Sequence, residues 1–220
     1  MTTTRHRFDQ ELAALQQGVI HMGSLAAEAI ELALRVLTER NAALVQQVLD
    51  VENRVDALNL EIESHAIQLL ALQQPMARDL RTIAAVLRII TDIERVSDYA
   101  TDTAYQAQKL VDAPLFKPLV DIPRMAAVVQ KMLHESLQAF VHRDLNLAME
   151  AVREDDQVDQ AYRTLHGEIL SHIQRDPSVT PVAIALLLIG VYLERVADHI
   201  TNIGERVWYM ETGELKELHQ

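Results

Sequence analysis

The sequence predicts an all-α protein: two tandem three-helix bundles, six long helices in all, related by internal duplication. Three observations carry that expectation. The segment Ile93-Glu94-Arg95-Val96-Ser97-Asp98-Tyr99-Ala100 recurs as Leu193-Glu194-Arg195-Val196-Ala197-Asp198-His199-Ile200, an offset of 100. Upstream, Arg40-Asn41 and Val55-Asp56 recur as Arg143-Asp144 and Val158-Asp159 at an offset of 103, so the copies differ by three residues around Gln74-Pro75 and Asp176-Pro177, as a loop would allow. Finally, six Gly and six Pro among 220 residues leave a chain rich in side chains that lose little rotamer freedom in a helix.

The breaks set the elements in order. Asn41 and Asp144 are N-cap residues whose side chains can accept a bond from a first-turn amide. Pro75 and the pair Pro177 and Pro181 end one helix and begin the next. The expected helices are 5–39, 42–73, 76–111, 124–142, 145–175 and 179–211, the longest being rods of roughly 50 Å. Residues 1–112 form the first unit, 113–123 a proline-rich linker and 124–220 the second unit. The third helix of each copy carries an apolar seam in steps of three and four. It runs Val86, Ile89, Ile93, Val96, Ala100, Thr103, Ala107 and Leu110, then Leu186, Ile189, Leu193, Val196, Ile200, Ile203 and Val207.

Composition excludes several function classes. Hydrophobic residues make up 49% of the chain, enough for a sizeable core, and aromatic residues only 4%, so aliphatic side chains must fill it. With no Cys there is no disulfide framework, thiolate zinc site or Cys nucleophile, and a reducing cytoplasmic setting is expected. The start, Met1 to Arg7, shows no apolar stretch behind its charges and hence no secretory signal. The run Val182 to Leu193 is too short for the ~20 residues that span a bilayer, so a soluble protein is expected. A net charge of −12 without a Lys/Arg stripe argues against direct DNA binding.

With the seam fixed, Glu94, Asp98 and Asp102 fall on the side of the third helix away from it, as do Glu194, Asp198, Asn202 and Glu205 in the second copy. They are expected to be exposed. Steps of four stack them about one turn, ~6 Å, apart, close enough to share a cation. Oxygen ligands suit Mg²⁺, Ca²⁺ or Mn²⁺, and iron. His199 beside Asp198 offers a nitrogen ligand, although its counterpart is Tyr99. The alternative is a charged outer face with Arg95 and Arg195 pairing their neighbours. His65, His134 and His172 lack paired spacing and receive no role. No Glu-x-x-His, Gly-rich phosphate loop, Gly-x-Ser-x-Gly or His-Glu-x-x-His occurs, so no catalytic residues or organic cofactor are expected. A two-metal hydrolase built on the acids is a weaker alternative.

Pro75, Ala77, Asp79-Leu80-Arg81 and the run Asp92 to Ala100 resemble the signature of the PhoU family. The stretch Leu193 to Glu205 is similar to that family's second signature, and the resemblance covers nearly the whole chain. It implies two three-helix bundles with metal-binding E/D-x-x-x-D motifs on each third helix, the ion being Mg, Mn, Ca, Fe or Zn. It implies a cytoplasmic regulator that contacts the ATPase of the phosphate ABC transporter and its sensor histidine kinase and represses the phosphate-starvation response. On this reading the protein reaches the membrane only through its partners, and a homodimer is expected. Copy one has Asp102 where copy two has Asn202, so the two acid sets differ in charge. The alternative function is a structural helical interaction module with no link to metal or phosphate.

Overall fold

The computed structural model describes residues 2–218, with side chains described from His6 onward. Met1 to Arg5, part of the stretch in which no secretory signal is seen, lies outside the described side chains, as do the last two residues of the second unit. The helices are α1 (Thr2–Thr38), α2 (Leu44–Gln73), α3 (Ala77–Gln108), α4 (Asp121–His142), α5 (Leu145–Arg153), α6 (Asp155–Arg175) and α7 (Thr180–Thr212), with a 3₁₀ turn at Pro177–Val179. Among the described residues there is no strand. The single rod expected over 145–175 is interrupted at Glu154. There the chain tightens, with the Gln157 amide bonding the Glu154 carbonyl at 3.0 Å, so α5 and α6 together correspond to α2. The linker packs as built structure: the Phe116 ring meets His172 at a tilt, centroids 4.8 Å apart, and Lys117 pairs with Asp121 and Glu168.

The duplication is visible in backbone geometry. Arg40 and Arg143, equivalent positions after the first helix of each copy, both adopt left-handed conformations, φ 52° and 56°. Just beyond them, Asp144 caps α5, its Oδ1 accepting from the amides of Asn146 and Leu147 at 2.9 and 3.2 Å. Asn41 caps only the turn before α2, accepting from the Ala43 amide at 3.1 Å. The three-residue difference between copies falls mainly in the first turn of the third helix, since α7 begins closer to Glu194 than α3 begins to Glu94. Asp144→Ala is expected to cost about 1 kcal/mol, a fall in Tm of roughly 2–4 °C that a calorimetric scan reads directly.

The two three-helix units pack together through one continuous hydrophobic core. Its centre is the packing of α3 against α7, the most extensive helix pair. These two helices run antiparallel, because Asp92 meets His199 while Tyr99 meets Tyr192. Those contacts are images of each other under the duplication: the equivalents of Asp92 and His199 are Tyr192 and Tyr99. One copy of the contact is a 2.9 Å carboxylate–imidazole bond and the other a pair of stacked rings 6.0 Å apart. Of the seam residues, those named on both third helices are all buried. By length and composition α7 could cross a membrane. Here it packs against α3, α4, α5 and α6 as the central helix of the core.

One end of this central pair is clamped by charge. Glu211 near the end of α7 accepts from Arg143 at 2.7 Å and from Arg78 of α3 at 2.8 Å, and Arg143 also donates to the Thr82 hydroxyl at 3.2 Å. Burial pushes the Glu211 carboxyl up, but the two guanidinium bonds outweigh it and hold the group below its ordinary value.

Candidate functional site

The acids of the third helices do not stand out into solvent as a single row. Glu94 and Asp98 are half-buried in the groove between α3 and α2, and Asp102 is exposed at its end. From the α2 side, Glu52 and Asp56 enter the same groove. Carboxylate oxygens of Glu52, Asp56 and Asp98 all lie within 4.8 Å of one another, which among the described residues makes the one such group of three. Asn59, one turn further along α2, donates to Glu94 at 2.6 Å, and Arg95 pairs with Asp98 at 3.0 Å. The candidate ligands are thus drawn from two helices, where the sequence pattern pointed to one.

The electrostatics record the crowding. Burial, followed by the charges of Asp56, Asp98 and Glu94, pushes the Glu52 carboxyl above its ordinary value. Asp56 is raised by burial and by Asp98. Glu94 is raised by burial, then by Asp56 and Asp98, with Arg95 opposing. Asp102 is raised by burial and by Asp98. Each shift has the sign of a carboxylate held near others of like charge in a partly dry groove.

The second copy brings acids from α7 and α6 near one another, but among the described residues they do not converge as the first copy's three do. Glu194 is raised by burial, then by Asp198 and Asp159, and more weakly by Asp155, with Arg195 opposing. Asp155 and Asp159 on α6 are the equivalents of Glu52 and Asp56. Two expected ligands depart from the pattern. Asn202 turns to the other copy, donating to Asp92 at 3.1 Å. Glu205, expected to be exposed, is 8% exposed, because the chain beyond α7 folds back and the Leu218 amide bonds its Oε1 at 2.9 Å. His199 is likewise committed to Asp92 and not to Asp198.

Reading the acids of one helix missed Glu52, Asp56, Asp155 and Asp159. Their signal was present: Glu52 and Asp56 are four residues apart, and the spacing returns at Asp155 and Asp159 with the upstream offset of 103.

Acids thus stand at equivalent places in each half, and in the first groove three of them converge. Comparison with known proteins agrees with this twofold plan. The PhoU domain matches the chain twice, over residues 19–107 and 122–207. The chain belongs to the PhoU family. It is 33% identical over 209 residues to the phosphate-specific transport system accessory protein PhoU homolog of Deinococcus radiodurans, covering 95% of this chain and 98% of that one. A PhoU homolog of Synechocystis of the same description is 36% identical over 211 residues, covering 95% and 93%. Among solved structures, PhoU from Pseudomonas aeruginosa superposes with a TM-score of 0.90 at 29% identity, covering 94% of this chain and 100% of that chain. The phosphate transport system regulatory protein PhoU from Streptococcus pneumoniae gives 0.88 at 31% identity, covering 95% and 99%. These PhoU structures share the fold over nearly the full length, so both acid grooves lie within the shared framework.

Without a bound cation, removing one groove charge is expected to stabilise the fold. Like-charge pairs cost a few tenths of a kcal/mol each, so Asp56→Asn in chelator at pH 7 is expected to raise Tm by roughly 1–3 °C. The sign follows from the raised values. The folded chain holds these protons more tightly than the unfolded chain, so the charge penalty is full above the raised values. It fades as pH falls through them toward the ordinary carboxylate value of about 4. The gain from Asp56→Asn should shrink over that window, and a gain constant with pH would point to a packing effect instead.

Proposed function

We propose that this protein is an accessory regulator of a phosphate-specific transport system that restrains phosphate uptake and the phosphate-starvation response when phosphate is plentiful. It acts as a non-catalytic, metal-binding adaptor on the cytoplasmic side, between the transporter ATPase and the sensor histidine kinase. The relatives named as phosphate transport accessory proteins support the pathway. The observation that carries the metal-binding part is the convergence of Glu52, Asp56 and Asp98 from two helices onto one point. Three anionic oxygens with no nitrogen or sulfur among them suit a hard cation such as Mg²⁺, Mn²⁺ or Ca²⁺, or iron. A cation there would offset the burial and, after it, the like-charge repulsion that raise Glu52, Asp56 and Glu94, and would tie α2 to α3.

The partners give the direct test. Purified ATPase and kinase are each mixed with this protein in phosphate-replete buffer, with Mn²⁺ or with chelator, and co-purification is measured. Association with both, weakened by Asp56→Asn together with Asp98→Asn, is the expected result. Failure of both partners to associate under either condition would remove the adaptor role, and association unaffected by the double variant would remove the metal from it.

A further inference from the structure

The outward line of α7 holds an apolar stripe that the bundle does not require. Ile184, Leu188 and Val191 follow one another at steps of four and three, so they lie on one side of the helix. Ile184 is 49% exposed, and Leu188 and Val191 are only half-buried. The same line continues into Arg195 and Asp198. The duplication supplies an internal control: the equivalent positions on α3 are Ala84, Arg88 and Thr91, of which Arg88 and Thr91 are exposed. The same fold thus accepts polar side chains at these places, and a partly exposed apolar stripe in one copy alone points to something that covers it.

What covers it is constrained by charge. The register set by Tyr99–Tyr192 and Asp92–His199 lays Asp102 and the exposed Tyr105 of α3 alongside the stripe. At the far end of the stripe come Glu194 and Asp198, with Asp159 near Glu194 from α6; the one cation on this line, Arg195, is bonded to the Tyr99 hydroxyl at 3.1 Å and leaves the border net negative. Apolar side chains bordered by carboxylates repel an anionic lipid surface, and they repel an identical face of a second copy in a chain of net charge −12. They fit a helix with the opposite arrangement, an apolar stripe edged by Lys and Arg.

We propose that the outward face of α7 from Ile184 to Asp198 docks a cationic amphipathic helix of a partner protein, its apolar side on Ile184, Leu188 and Val191 and its basic edges on Asp102, Glu194 and Asp198. This deepens the adaptor reading by naming the chemistry of a partner element, and it rests on that reading only for the existence of a partner. Its test involves neither phosphate nor a pathway protein, so the two can fail separately.

The probe is a synthetic helix-forming peptide of roughly 18 residues, about 27 Å long, with a leucine stripe edged by lysines. Binding is followed by fluorescence anisotropy in chelator. The comparison peptides have glutamate in place of lysine, or the same composition scrambled to remove the stripe. The lysine peptide is expected to bind at least about tenfold more tightly than the scrambled one. The variant Ile184→Ala/Leu188→Gln/Val191→Thr should lose at least about tenfold, and Leu60→Gln/Ile67→Gln, which alters exposed apolar residues on α2, should bind unchanged. Leu188→Arg, copying Arg88, serves as a second variant with a side chain that the fold accepts in copy one. Circular dichroism and Tm identify any variant that fails to fold. Equal binding of the lysine and scrambled peptides, or unchanged binding by the folded stripe variants, overturns the proposal. So does dimerisation that the stripe variant abolishes in light scattering, which would make a second copy the occupant. Flotation with phosphatidylglycerol vesicles that depends on the stripe would assign the face to lipid and overturn it equally.

Discussion

Mn²⁺ at about one hundred times its dissociation constant is expected to stabilise the chain by about 2.7 kcal/mol per groove site. For a chain of this size that is a rise in Tm of roughly 5–11 °C. Asp98→Asn is expected to abolish the share due to the first copy. Asp98 is the decisive residue because it stands where both helices meet. It lies with Glu52 and Asp56 of α2, and its charge contributes to the raised carboxyls of Glu52, Asp56, Glu94 and Asp102. Asparagine keeps the shape and a hydrogen-bonding oxygen but removes the charge that a hard cation needs. Calorimetric scans of both proteins, with Mn²⁺ and at matched ionic strength with Na⁺, separate ligation from screening. An equal Mn²⁺-dependent rise in wild type and Asp98→Asn would place the cation elsewhere.

Gly204→Val is expected to cost about 3 kcal/mol, a fall in Tm of roughly 6–12 °C. A Cβ at Gly204 would sit 2.7 Å from Val152 Cγ2 and 3.3 Å from the Ala148 carbonyl oxygen, both on α5. Val152 is β-branched and stiff at χ1, and the carbonyl belongs to the helix backbone, so α5 itself must move off α7. Gly23 supplies the contrast. A Cβ there would come within 2.5 Å of Leu137 Cδ1, the far end of a flexible side chain. Rotation of that leucine relieves the clash, and replacing a mid-helix glycine gains about 1 kcal/mol of propensity, so Gly23→Ala should lie within about 1 kcal/mol of neutral. Urea unfolding of both variants measures the difference. A loss for Gly204→Val no larger than that of Gly23→Ala would mean α5 is held less closely than the contact implies.

The helices and their buried sides were legible because the seam residues, from Val86 to Leu110 and from Leu186 to Val207, repeat in register with helix geometry. Periodicity along one helix says which side is apolar, but not which helix covers it. The antiparallel contact of α3 with α7, through which the two bundles share one core, was therefore not readable. The acids show the same division. Glu94 and Asp98 were placed on the correct side of their helix, yet Glu52 and Asp56 come from a helix whose facing direction depends on packing. Glu205 was misread for another reason: the segment that buries it comes after the helix and has no periodicity of its own. His199 looked like a ligand beside Asp198, and it is committed instead to Asp92, a partner 107 positions away in sequence.

Cation binding in the first groove is expected to need carboxylates from both helices, Glu52 and Asp56 of α2 as well as Asp98 of α3. Calorimetric titration of Mn²⁺ into the wild-type chain and into Glu52→Gln/Asp56→Asn, a variant that leaves the third helix untouched, tests it most directly. Loss of one class of binding site, with the second copy's site retained, is the predicted outcome. Full stoichiometry and affinity in the double variant would contradict it and return the metal to α3 alone.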